Sequence, residues 1–429
     1  MIYLDKLGNA LPASFGPIEM RLRFPEAVMG SLAIGMLYLM LAHFLHVSRT
    51  AALMGSALLL FSVIRLQETP IIGPHHLTLL WTILLIGIGF NHDITSILSI
   101  VALGLVLGLA FVTMTYAIPL SLCLALSAMA VRTNLIVLKL RDLGQVLRRV
   151  LPRMIAVCAI AITAELILWP PGLLKGRVLK DFIALARYGD FALAFRGVWV
   201  ERAPHMAYAY WLATLDAPIL LSSIGCVGLF VWNFMRAGLK PRTIYVISWA
   251  AVISGITLAA HIAGPRNALI AIGVICAAVA VIFDDIPNAP LKKSVAAAVI
   301  ALSAANMAWS SIKAQYIPQV ATAGYKLFLS EHRNLLKEPA AAVVNGSPIL
   351  RFYAGQLNTK IAWHLTEVPR SASADERWPQ DAKYGLIVEP AYLYMPSDRP
   401  VRRIIVDKWK LVWSFKQARS WGLRFYERQ

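Results

Sequence analysis

Apolar runs of about twenty residues follow one another along most of this chain, and that length is what a helix needs to span a bilayer. They fall near 26–47, 51–66, 74–90, 94–112, 115–131, 154–169, 215–236, 243–262, 266–283 and 293–310. The fold class expected is therefore mainly α: a polytopic helical membrane bundle of about ten spans. The shorter runs are accommodated by tilt or by packing inside the bundle. Composition agrees. The chain is 58% hydrophobic and 15% charged, where a soluble domain is about 45–50% apolar and about 25% charged.

The net charge of +18 sits in turns beside apolar helices. That placement points to anionic lipid headgroups and phosphate-bearing lipids as partners, and not to nucleic acid. It also sets orientation. The stretch 132–153 holds Arg132, Lys139, Arg141, Arg148, Arg149 and Arg153, with apolar residues at helical spacing. It reads as a basic amphipathic helix over 133–150 on the cytoplasmic surface. Counting spans from there puts Arg236, Lys240, Arg242, Lys292 and Lys293 on the same side. Asp284 and Asp285 fall there too and read as a solvated turn. Cys123, Cys158, Cys226 and Cys276 each lie alone in an apolar run, without metal spacing.

The same count puts 170–214 and the tail from about 311 outside. The helix ending at "LWPPGLLKGRVLK" meets Pro170 and Pro171, which stop it, and Lys175, Arg177 and Lys180 follow at once. Cations on the disfavoured side suit a phosphate at headgroup depth. The tail carries short β-prone runs, "AAVVN", "KIAWHL", "YGLIVEP", "KLVWSF" and "LRFYER", with a helical stretch over 322–337. It reads as a small C-terminal α/β extracytoplasmic domain.

Several segments resemble the GT-C superfamily of membrane glycosyltransferases, which includes the family 39 protein mannosyltransferases and bacterial relatives. The family pattern of a Glu, Leu-Arg-Leu-Pro, a Gly, a Tyr and a basic turn is similar to Glu19, Arg21, Arg23, Pro25, Gly30, Tyr38 and Arg49. "ALGLVLGLAFVTMTYAIPL" resembles a Gly-Leu-Ala-Phe-Leu-Thr-Lys segment, with Met114 at the Lys position. "LWPPGLLKG", then "RGVWVERAPHMAYAYWLATLDAPIL" and "HIAGPRNALIAI", resemble later outer loops in the family's order. The resemblance covers roughly residues 15–285.

It implies transfer of a sugar from a polyprenyl-phosphate donor to an envelope lipid, glycan or protein on the periplasmic side of the bacterial inner membrane. Lys175, Arg177, Lys180 and Arg266 are the donor-phosphate candidates, since such chemistry needs cations on the departing phosphate. In "RLQETPIIGPHH", Glu68 takes the family's loop carboxylate role, and Arg65, His75 and His76 join it as acceptor-side candidates. His205, Tyr208, Tyr210 and Trp211 offer sugar-stacking faces; an interfacial aromatic belt reads equally well. No cofactor is required by the residues themselves, and a divalent metal is what the family chemistry admits. Glu165, ionisable near the end of an apolar run, is a further candidate.

The implied domains are a first-outer-loop remnant over 1–25, a GT-C-like bundle over 26–310 with the outer loop 170–214, and a periplasmic domain over 311–429. The family's key carboxylates lie in a first outer loop that follows a first helix. Asp5 and Glu19 are the only acids before Arg23, and neither has the family's Asp-Glu context. The expectation is a chain lacking that helix and loop. A truncated or non-catalytic relative that binds lipid-linked glycan stands beside the enzyme reading. A transporter is less favoured, because no repeat symmetry is evident.

Overall fold

A computed structural model describes residues 10–12, 14, 18–68, 75–91, 96–113, 117–133, 140–170, 174, 191–195, 198–202, 207–259, 268–313, 319–344, 347–367, 382–389, 409–418 and 421–429. The chain divides into two compact units. One comprises Met1–Asp190 and Pro204–Ser310, the other Phe191–Ala203 and Ser311–Gln429.

The first unit is helical. Its elements are α1 (Ile18–Leu39), α2 (Arg49–Leu60), α3 (Val63–Glu68), α4 (His75–Asn91), α5 (Ile97–Thr113), α6 (Ala117–Thr133), α7 (Leu140–Leu168), α8 (Ala207–Leu215), α9 (Ala217–Ala237), α10 (Pro241–Ala259), α11 (Leu269–Phe283) and α12 (Ala289–Lys313). Among the described residues, four stretches are long and apolar enough to cross a membrane: Arg23–Phe44, Arg148–Leu168, Ala217–Arg236 and Ala289–Ser310. Shorter apolar helices cover Arg49–Leu60, His75–Phe90, Ile97–Thr113, Leu120–Val131 and Leu269–Phe283. At the centre lies α11, apolar on every side and buried on every side. By contrast, α9 turns Leu221, Ile224, Val227 and Met235 outward, each at least 60% exposed. Such a face belongs against lipid, since soluble monomers rarely expose large apolar patches.

Two of the expected runs have different boundaries. The run 51–66 breaks at Phe61–Ser62 into α2 and α3, because an acid from elsewhere caps a new helix there, as described below. The basic stretch is not a separate surface helix: α7 continues from Leu140 through Pro152 to Leu168, and residues 134–139 lie outside the described ones. Val150 and Met154 are buried while Arg148, Arg149 and Leu151 are exposed, so one helical face persists across the proline.

Helices α5 and α7 run parallel and touch backbone to backbone. A Cβ on Gly104 would lie 3.0 Å from Val157 O, and one on Gly108 would lie 2.9 Å from Ala161 O and 2.7 Å from Ala164 Cβ. Small residues permit this approach where lipid supplies no hydrophobic force between helices.

The turns gather at two ends of the unit. At one, Asp284 accepts from Ser48 N–H (3.2 Å), Arg242 Nη2 (2.7 Å) and Lys292 Nζ (3.1 Å), and Lys240 pairs with Asp285. Arg242 Nη1 also donates to His46 O at 2.6 Å. Asp284 is thus the hub of a charge network and not part of a solvated turn: the 45–48, 238–242 and 284–292 turns converge on it, and its side chain is only 9% exposed. Burial alone would raise its carboxyl, but the Ser48 hydrogen bond and the Lys292 and Arg242 charges outweigh that and hold it below the usual carboxylate range. A depressed pKa contributes stability above the unfolded value and loses it as pH falls through the folded value. Thermal stability in detergent should therefore drop on acidification below about pH 4, and Asp284→Asn should remove part of that drop.

In the second unit, β3 (Ala341–Val344), β4 (His364–Glu367), β5 (Tyr384–Glu389), β6 (Trp409–Ala418) and β7 (Trp421–Arg428) form one sheet in the order β4-β3-β5-β7-β6. β3 is parallel to β4 and β5, while β7 is antiparallel to β5 and β6. These strands correspond to the β-prone runs read from the sequence. Helices α13 (Gln319–Glu331) and α14 (Ser347–Gln356) accompany the sheet. Tyr325 and Phe328 are buried in a core with Trp363, Tyr384 and Phe425, where Trp363 stacks on Tyr384 at 4.9 Å. A two-stranded antiparallel hairpin, β1 (Phe191–Phe195) and β2 (Val198–Arg202), interrupts the stretch expected as an outer loop.

Candidate functional site

The second end of the helical unit is the richer in buried polar chemistry. Glu26 follows Pro25 in α1 and is 3% exposed. Its Oε1 accepts from the backbone N–H of His76 at 3.2 Å and lies 3.1 Å from His76 Nδ1. His76, at the start of α4, is fully buried. An ionised carboxylate only accepts; facing one, the neutral imidazole carries its proton on Nδ1 and presents Nε2 as an acceptor. Gly30, one turn beyond Glu26, backs the imidazole: a Cβ there would lie 2.9 Å from the ring's Cδ2. Glu26 Oε2 and His76 Nε2 are buried without a hydrogen-bond partner among the described residues.

A second buried acid lies at the same end. Asp216 joins α8 to α9 and is 2% exposed. Oδ2 accepts from Ser62 Oγ at 2.7 Å and Ile64 N–H at 3.3 Å, and Oδ1 accepts from Val63 N–H at 2.7 Å. These are the orphan donors at the start of α3, so Asp216 caps a helix from which it is far removed in sequence. Ser62 Oγ in turn accepts from Arg65 N–H, and Arg65 Nη2 donates to Leu60 O at 3.0 Å. Arg65 is buried at 6% exposure. Nearby contacts at this end include Trp81 Nε1–H donating to Thr113 Oγ1 and Asn306 Nδ2 donating to Leu215 O.

From this end an apolar groove of about 730 Å³ runs along the bundle between α9 and α12. Leu221, Gly225 and Leu229 line one wall, Val299, Leu302 and Trp309 the other, with Val279 and Phe283 of α11 and Met54 of α2 at its floor. Along α12 the lining runs from Val295 to Trp309, about 21 Å at 1.5 Å per residue. Asn306, Ala217 and Pro218 bring the groove to within one residue of Asp216.

Of the residues singled out from the sequence, Arg65, His75 and His76 come to this end, all buried. Of the adjacent histidines, His76 turns its ring to Glu26. Glu68 ends α3, and Tyr208, Tyr210 and Trp211 lie on α8, but their side chains lie outside the described ones. Lys175, Arg177, Lys180, His205 and Arg266 lie outside the described residues altogether. Glu165 is fully buried near the end of α7. Among the described residues no three His, Cys, Asp or Glu side chains gather as metal ligands. Glu26 and Asp216 were not singled out from the sequence. Each carried a signal: an acid within two residues of a proline at the edge of an apolar run.

The chain is similar to the crystal structure of the Archaeoglobus fulgidus oligosaccharyltransferase in its apo form, with a TM-score of 0.55 over 90% of this chain. The fold is shared with an oligosaccharyltransferase. Identity between the two is 12%, and this chain spans 61% of that enzyme's length. No family model and no curated protein matches the chain.

Proposed function

We propose that this protein is a membrane glycosyltransferase. In this reading it takes a sugar from a polyprenyl-phosphate donor and passes it to an envelope lipid, glycan or protein at the extracytoplasmic face of a bacterial inner membrane. The carrying observation is the apolar groove that ends beside a cluster of buried polar groups, in a fold shared with an oligosaccharyltransferase. A prenyl chain needs a long apolar track between helices, with its phosphate delivered to the polar end. Lys175, Arg177, Lys180 and Arg266 then meet the departing phosphate, where fixed cations stabilise the charge that develops. Tyr208, Tyr210, Trp211 and His205 are the candidates for stacking on the sugar, and in this reading the C-terminal unit is extracytoplasmic.

The groove is open to a direct test. Gly225 lines the groove and a Cβ there meets nothing within 4 Å, so Gly225→Trp is the substitution chosen to obstruct it. Photo-crosslinking with a diazirine-bearing polyprenyl phosphate should label groove residues of α9 and α12. In Gly225→Trp, labelling should fall at least fivefold with thermal stability unchanged. Equal labelling of both proteins, or labelling confined to other helices, would remove the groove from the account.

A further inference from the structure

We infer that Glu26 and His76 form a general-base dyad, with His76 Nε2 taking the proton from the acceptor hydroxyl; this rests on the transfer reading above. The two buried acids at this end are used differently. Asp216 receives three donors spread over both of its oxygens, as a structural cap does. Glu26 places both of its contacts on Oε1, leaving Oε2 and the far ring nitrogen buried and unsatisfied among the described residues. Buried acceptors are costly to leave unpaired, and a hydroxyl-bearing ligand supplies the missing donor.

The geometry also fixes the roles. The carboxylate orients the ring and holds the proton on Nδ1, so the lone pair of Nε2 points away from Glu26. This is the arrangement in which a carboxylate positions a basic imidazole. Gly30 lets α1 approach the ring closely enough to fix its plane. In the step assigned, the acceptor O–H bond breaks and its proton moves to Nε2. The oxygen forms the new bond to the anomeric carbon. The bond from that carbon to the donor phosphate oxygen breaks, and the electron pair leaves on the phosphate. His76 is the catalytic residue, and Glu26 is a positioning residue acting through it.

The first arm of the test uses no sugar. The full chain in nanodiscs is labelled with 15N-histidine, and the ring nitrogens of His76, assigned by their loss in His76→Gln, are read by NMR. The folded protein should show Nδ1 protonated and Nε2 bare, and Glu26→Gln should move the ring away from that tautomer. A ring protonated at Nε2, or one that Glu26→Gln leaves unchanged, overturns the dyad. The second arm measures transfer from a labelled polyprenyl-phosphate sugar. His76→Gln should lower kcat by about 10²–10⁴-fold, and added imidazole should restore part of the rate to His76→Gly, which a purely structural histidine would not allow. Glu26→Gln should lower kcat with little change in KM. Wild-type transfer that survives His76→Gln within twofold overturns the dyad alone. A His76 ring bare at Nε2 in a Glu26-dependent way, with no transfer from any such donor, overturns the donor reading and supports the basic imidazole.

Discussion

Asp216→Ala should destabilise the helical unit by about 3–5 kcal/mol, the largest loss expected from any single substitution here. The change strips three donors of their acceptor at once. Ser62 Oγ, Val63 N–H and Ile64 N–H would be left buried, and a hydrogen bond to a charged acceptor contributes about 1.5–3 kcal/mol. The start of α3 would lose its cap, and with it the tie between α3 and the α8–α9 junction. Asp216→Asn keeps an oxygen acceptor and should lose about half as much. Thermal unfolding of the detergent-solubilised protein, followed by size-exclusion with tryptophan fluorescence, measures both. Equal stability of Asp216→Ala and wild type would mean that this carboxylate caps nothing.

The second large effect lies in the α5–α7 contact. Gly108→Leu should cost about 3 kcal/mol or more, because the added atoms meet the backbone of Ala161 as well as the Ala164 side chain, and backbone cannot change rotamer to make room. The helices must separate along their length, and the Gly104 contact would open with them. Gly228→Leu is the control, since a Cβ there meets nothing within 4 Å. The same melting measurement should separate the two by several degrees. If both substitutions are tolerated alike, the close parallel packing of α5 and α7 is wrong.

Much of the fold was legible in the sequence. Helical runs were visible because each is apolar for its whole length, and the C-terminal strands because alternation and turn residues bound them. Boundaries were less legible where tertiary partners decide them. Nothing local in "LFSVIRL" says that Ser62 will receive a carboxylate 154 positions away, yet that contact divides α2 from α3. The basic stretch 133–150 and the run 154–169 looked like separate elements because the burial of their residues was unknown, and in the structure one helical face runs straight across Pro152. Site residues show the same division. His76 was visible as a histidine at a helix boundary, but its partner Glu26, 50 residues earlier, was not, because such a pairing leaves no periodic trace. Asp284 looked like a solvated acid in a turn; its network exists only once three turns converge.

The central claim is that this bundle moves a sugar from a lipid carrier. The measurement that tests it most directly uses membranes of the native host lacking the chain, supplemented with each radiolabelled polyprenyl-phosphate sugar that the host makes. Addition of the purified protein in nanodiscs should move label from the solvent-extractable lipid into an envelope acceptor, in proportion to protein added. If label stays on the carrier for every donor, with and without the protein, the glycosyltransferase account is contradicted.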